Sequence, residues 1–553
     1  MTDIDYTDRV RAAKQRLLNR LAEPMLAQHE VLQEVLTANS ATEFGTEHDL
    51  AAVHSVDDLR RRVPIRTHEE YMPWIERAIA GEPKILTAED PVVYFSSSGT
   101  TGREKHIPVT RTYMRDCFLP FYYACFARVV EHHPEAIATQ SGVLNLWQDP
   151  HSPIARTSGG QPHIGPSQVD FGKFGDQLAV GPGNAAPWSR LPDAFTDADH
   201  WERTYLKVRL AAEYDIRCVV TVNPAIAAAL PYQLEQWWPR MVEEIAAGTL
   251  GGLPHRSPNP ERAREIERLA AYFGTIRPEH LWPNIDLLVT WNTALSSFYL
   301  PQARAAYGAD VSVLPGPVAS CEGPVAVQLD RHPTAGPLYV TGCLYEFIPA
   351  EEEIKPGSAT LLADELQPGR EYHVVLTHVG GLYRCAVTDI VRVVDFVAGT
   401  PRVEYAGRSL PAADVKDTLL EPQLLRALSG ALGDVGLQVR NATCRMAPGG
   451  RRYEVAIAPT GVFTADELET LGVALDARLR AQSPGYARGR AADRLDPVSV
   501  VATHPHAFLR EWERRVRRGE RPPRVKDRVF TTDPQVWQRI TGGQPVAMAG
   551  QRR

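Results

Sequence analysis

Residues 96–102, SSSGTTG, form a run in which no side chain is larger than threonine. The run follows the apolar segment PVVYF at 91–95, which predicts a short strand, and precedes Arg103, Glu104 and Lys105. Glycines let backbone N–H groups converge on an anion, and small hydroxyls add donors without bulk. A lysine at the end of such a turn neutralises phosphate charge. The spacing is not that of a Walker loop, since G-x-x-x-x-G-K-S/T does not fit GTTGREK. Alone, the run also reads as a flexible surface loop, so the choice falls to the rest of the chain.

Three further segments favour a nucleotide site. VASCEG at 318–323 sets Glu322 beside a turn of small residues after a strand, where a carboxylate can ligate the magnesium carried by ATP phosphates. YRCAVTDI at 383–390 puts Asp389 just before the apolar run IVRVV, and one carboxylate there can accept hydrogen bonds from both ribose hydroxyls. Gly407 and Arg408 open GRSLPAA at 407–413, a run of small, turn-forming residues where a hinge would sit. Each carboxylate taken singly reads equally as a turn residue facing water.

The chain has 553 residues, too many for one ordinary core, so two or more domains are expected. Helical spacing appears at 8–38 with a break near Pro24, at 68–80, at 111–133 and at 225–247. Apolar strands are predicted at 217–222, 285–291, 311–314 and 338–341. From residue 371 the pattern becomes strands joined by turns: YHVVLTHV, YRCAVTDIVRVVDF and PRVEYAG. The last ~140 residues restart with helix, strand RRYEVAIA, helix and strand PVSVVA, enough for a small domain of their own. Together these predict an α/β protein. Residues 145–195 are rich in Pro, Gly and polar side chains and read as loops bordering a pocket.

A net charge of −7 argues against a nucleic-acid binder, and the arginines of 510–528 read as a solvated helix face beside a loop. The seven cysteines are dispersed, without CxxC spacing, and read as reduced thiols. The opening MTDIDYTDRVRAAKQ is charged, and no apolar run reaches membrane-spanning length, so a cytoplasmic enzyme without membrane or nucleic-acid partners is expected.

The order of these segments is that of the adenylate-forming superfamily, and the details resemble its Gretchen-Hagen-type, auxin-responsive branch of acyl-acid amido synthetases. SSSGTTGREKHIPVT is similar to that family's S-S-G-T-T/S-x-G-x-x-K-x-I-P-x-T. VASCEG resembles its Y-A-S-S-E, and GLYRCAVTDIVRVVDF its G-L-Y-R-Y-R-V-G-D-V-V-x-V. TEFG at 42–45, WPN at 282–284, YEFIP at 345–349 and the closing HPHAFLREWERRVRRGERPPR extend the likeness over almost the whole chain.

The resemblance implies a large adenylate-forming domain of mixed sheets and helices at 1–407, a hinge at 408–412 and a smaller, mobile α+β lid at 413–553. It implies ATP and Mg2+, with Ser97, Ser98, Gly99, Thr100, Thr101, Gly102 and Lys105 on phosphates. Ser320, Cys321, Asp389 and Arg408 belong to the nucleotide site, and Glu322 is both catalytic and the metal ligand. The reaction implied joins a small carboxylic acid to an amine or amino acid through an acyl-adenylate. The chain would act as a monomer or weak dimer. A thioester-forming ligase using coenzyme A or a carrier-protein thiol shares the first half-reaction, and a scaffold that has lost activity is the non-enzymatic alternative. The acid would lie among 145–180, RCVVTVNPAI and residues 291–299. His106, His163 and His378 are the candidate bases for the amine. Departures from the family pattern are Val318, Asn292, Thr293, Ala386, Thr388 and Arg521, with Lys526 close by as a stand-in for a lysine in the closing loop.

Overall fold

A computed structural model of the protein describes residues 5–96, 105–148, 154–165, 168, 181–409 and 419–542. The strands Val143–Asn145, Cys218–Val222, Leu287–Thr290 and Ser312–Leu314 pair side by side in that order, all parallel. Residues on alternate faces enter different cores. Leu144, Val219 and Leu288 meet a helical layer, whereas Val143, Cys218, Val220 and Leu287 meet Val129 and Ala136. Burial on both faces is why these strands read as continuous apolar runs. Pro224–Ala247 crosses over from the second strand, capped by Asn223, whose side chain accepts the Ala225 N–H at 3.1 Å.

A five-stranded antiparallel sheet packs against the opening helices Tyr6–Leu18 and Pro24–Asn39. Its strands run in the order Gly336–Pro337, Thr400–Arg408, Leu382–Val397, Glu371–His378, Leu344–Pro349. The expected strand at 338–341 is shorter than its apolar content suggested. Only Leu338 makes a bridge beyond Pro337, and the backbone turns so that Leu338, Tyr339 and Val340 fill the core instead.

The helix expected over 111–133 is also interrupted. Arg111–Tyr113 runs into a wide π turn at Met114–Phe118, then Leu119–Ala124 and Ala127–His132. Pro120 has no N–H to offer the Asp116 carbonyl, and its ring crowds that group, so the local hydrogen bonds lengthen by one residue.

The C-terminal segment builds its own core. Helices Glu421–Val435 and Ala465–Gln482 cover a three-stranded sheet ordered Val439–Met446, Tyr453–Pro459, Ser499–Ala502. The chain then returns. Helix Ala507–Arg517 lays Trp512 and Val516 into the helical core beside Trp201 and Trp237. The basic stretch is therefore an amphipathic helix with paired charges: Glu511 accepts from Arg514 and Arg539, Glu513 from Arg517, and Glu520 from Arg515. The cysteines are free thiols. Among the described residues no helix is long and apolar enough to cross a membrane.

Trp512 is 3% exposed. Trp512→Ala should lower the unfolding free energy of the helical core by about 3–5 kcal/mol, read as a drop in thermal and denaturant midpoints. An unchanged midpoint would show that the returning helix is only loosely docked.

Candidate functional site

The strand Val93–Phe95 pairs antiparallel with Ile107–Val109 and parallel with Pro162–Ile164. Ser97, Ser98, Gly99, Thr100, Thr101 and Gly102 lie outside the described residues, but both ends of their loop are placed. At one end the Ser96 N–H donates to the Ile164 carbonyl at 2.8 Å, and the Ser96 hydroxyl accepts from the Arg524 guanidinium. At the other, Lys105 Nζ donates to Glu322 Oε1 at 2.6 Å. Burial opposes the charge on Glu322. The adjacent Lys105 ammonium overcomes that, so the carboxyl sits below its ordinary range.

Two of the three candidate bases bond the backbone of this pair, and the third stacks on one of them. His378 Nδ1 accepts from the Gly380 N–H at 3.0 Å, so its Nε2–H donates to the Glu322 carbonyl at 2.7 Å. His163 Nε2 donates to the Lys105 carbonyl at 3.1 Å, and the His106 ring stacks on His163 with centroids 3.9 Å apart. Burial pushes His378 down to about 4, which keeps it neutral. These rings hold the Lys105 and Glu322 backbones in place.

The neighbouring turn closes through the Ser320 N–H on the Gly323 carbonyl at 3.1 Å, and the Cys321 thiol reaches the Ser96 carbonyl at 3.7 Å. Asp389 and Arg408 face each other in register on adjacent antiparallel strands, Oδ1 to Nε 3.8 Å. Burial raises the Asp389 pKa against the pull of Arg408. Glu421 accepts the Arg408 backbone N–H at 3.0 Å, and burial pushes its carboxyl up to about 7. Asp389, Arg408 and Glu421 open onto one cavity of about 300 Å³ at the carboxyl ends of the parallel strands. Ligands collect at that end of an open α/β sheet.

Asn223–Ala225, Trp291–Tyr299 and Gly316–Ala319 form other walls. Two of the three segments expected to border the acid thus line this cavity, whereas about half of 145–180 lies outside the described residues and none of its described residues lines it. Trp291 donates from Nε1 to the Pro317 carbonyl at 3.1 Å and lies on Gly316, where an added Cβ would come within 2.6 Å of the indole. Only glycine fits there.

The last wall comes from far along the chain. Arg524, Lys526, Asp527 and Arg528 line the cavity, and Asn223 Nδ2 ties their loop down through the Val525 carbonyl at 3.0 Å. Lys526 Nζ sits 4.4 Å over the Trp291 ring, and burial lowers its pKa to about 8. Lys526 thus lines the cavity, and Arg521 is not among its described lining residues. Arg524, Asp527, Arg528 and Glu421 had not stood out in the sequence. The one available signal was Pro522–Pro523, which marks a fixed loop rather than a solvated helix face.

The GH3 family N-terminal domain model matches residues 13–312, and the GH3 family central domain model matches 336–408. The chain belongs to the GH3 family. A probable indole-3-acetic acid-amido synthetase, GH3.12, of Oryza sativa subsp. japonica is 25% identical over 448 residues, covering 69% of this chain and 68% of that protein. The 4-substituted benzoates-glutamate ligase GH3.12 of Arabidopsis thaliana is 24% identical over 446 residues, covering 75% of each chain. The structure of AtGH3.15 acyl acid amido synthetase in complex with 2,4-DB matches with a TM-score of 0.79 and 19% identity, covering 98% of this chain and 97% of that one. That match establishes the shared fold.

The buried His378 makes the GH3 chain sensitive to acid. Its folded pKa near 4 lies below the ordinary 6.5, so the unfolded chain binds the extra proton between those values. The contribution is fully present above pH 6.5 and is lost as pH falls toward 4, about 3 kcal/mol in all. His378→Gln should remove that slope from urea-unfolding curves measured between pH 4 and 7. An unaltered slope would assign it elsewhere.

Proposed function

We propose that the protein is an ATP-dependent ligase that activates a carboxylic acid as its acyl-adenylate and passes the acyl group to an amine, forming an amide and releasing AMP and pyrophosphate. The supporting observation is that Asp389, Arg408, Arg524, Lys526 and Arg528 line one cavity, with the Lys105–Glu322 pair near enough to act on the charge of Asp389. The named GH3 relatives couple such acids as indole-3-acetic acid and 4-substituted benzoates, and the latter acts with glutamate. An amino acid is accordingly the acceptor we infer.

Residues 97–102 supply backbone and hydroxyl donors to the phosphates, and Lys105 supplies the charge. Ser320 and Cys321 shape the turn, Asp389 takes the ribose hydroxyls, and Arg408 opposes the rise that burial imposes on the Asp389 pKa. The cations Arg408, Arg524, Lys526 and Arg528 fit a polyphosphate. Glu322 fits a magnesium that needs few protein oxygens and rides on the nucleotide. When bound, that ion neutralises the phosphates. The protein's part is positioning: the carboxylate and the α-phosphorus are held in one cavity, with charge placed where the transition state develops it. The domain scheme is 1–407, hinge 408–412 and lid 413–553, with the lid turning about Arg408. Arg524 on Ser96 supports a closed arrangement.

The test is acid-dependent exchange of pyrophosphate into ATP across a broad panel of acids, followed by amide formation with amino acids. Lys105→Ala and Asp389→Ala should each cut exchange about 100-fold or more while circular dichroism stays unchanged. No exchange with any acid would refute adenylation. Transfer to coenzyme A in place of amines would make the enzyme a thioester-forming ligase.

A further inference from the structure

His163 and His378 are committed to the backbone at Lys105 and Glu322, and His106 is stacked on His163, which directs the search for the amine's base elsewhere. A second cavity of about 270 Å³ adjoins the first, between helix Ala507–Arg517 and helix Pro534–Thr541. Lys526, Asp527 and Arg528 border both cavities and form the wall between them. The other carboxylates there are already engaged. Glu511 is held by Arg514 and Arg539, Glu520 by Arg515, and Asp533 caps the last helix through the Gln535 N–H at 2.8 Å.

Asp527 differs from all of them. Its Oδ2 accepts from the Tyr299 hydroxyl, which accepts in turn from Asn441 Nδ2 at 2.6 Å. Among the described residues no lysine or arginine pairs with it, and the surface it retains faces the cavities. The tyrosine fixes one oxygen and leaves the other available. Burial pushes the carboxyl up to about 7. A base with a pKa near the working pH is the strongest that remains unprotonated there.

We propose that Asp527 takes the proton from the acceptor amine, which approaches the acyl-adenylate through the second cavity; this assignment rests on the ligase reading above. The amine enters as an ammonium ion and gives one proton to the Asp527 carboxylate. The neutral nitrogen attacks the acyl carbon. The C–N bond forms, and the bond from that carbon to the AMP oxygen breaks, its electron pair leaving with AMP. The nitrogen's second proton goes to solvent. Tyr299 bonds Asp527, and the charged groups that line both cavities with it are Arg515, Lys526 and Arg528. The cations lower the charge cost of bringing an amino acid's carboxylate to the same wall.

The experiment compares wild type with Asp527→Asn, which keeps the side-chain shape, using two acceptors. Amino acids arrive protonated, whereas hydroxylamine is already neutral at neutral pH and needs no base. Amide formation is measured relative to pyrophosphate exchange in the same preparation. With amino acids the ratio should fall about 100-fold or more, and with hydroxylamine it should stay within a few-fold of wild type. An equal fall with both acceptors would make Asp527 structural, and retained transfer to amino acids would remove it from the chemistry. Either result would overturn the assignment while leaving the ligase reading intact. A wild type without exchange would overturn both.

Discussion

A buried ammonium faces a buried carboxylate across 2.6 Å where Lys105 meets Glu322, and the site is arranged around that contact. Either charge alone would be costly to enclose, so the two segments that carry them must arrive together. One leaves the small sheet at Ile107–Val109, and the other is the turn after Val318–Ala319. Backbone bonds from His163 and His378 hold the partners at the correct height. Histidine suits this task because burial keeps His378 neutral, with one nitrogen donating and the other accepting. The pair closes on itself here.

The second constraint is the path of the chain after residue 408. A C-terminal domain joined only by a hinge would move freely, yet the segment beyond its core comes back. Trp512 and Val516 are buried with residues of the 200–311 region, and Asn223 grips the loop that follows. That return brings Arg524, Lys526, Asp527 and Arg528 opposite the strand ends. Trp512, Val516 and Val525 thus belong to the core of the 200–311 region, whereas residues 421–502 build a core of their own.

The structure joins residues that the sequence had singled out, Lys105 with Glu322 and Asp389 with Arg408, although each carboxylate taken alone read equally as a solvated turn. The parallel strands were legible in the sequence, since their continuous apolar runs follow from burial on both faces. The errors came where one residue outvoted a pattern. Pro120 broke a convincing helical periodicity, and the apolar 338–341 filled a core without extending a strand.

What the sequence by itself determined is the α/β class, from short-range patterning, and, through its resemblance to the GH3 family, the order of motifs and the candidates Lys105, Glu322, Asp389 and Arg408. Only the tertiary structure decided that His163 and His378 bond the backbone and that Lys526 lies over Trp291. It also decided that Asp527 stands between two cavities with no lysine or arginine paired to it among the described residues. The reason is physical: hydrogen-bond partners, burial and charge balance are properties of neighbours in space. For residues 521–528 those neighbours lie more than 200 residues away along the chain at Asn223 and Tyr299, and more than 400 away at Ser96.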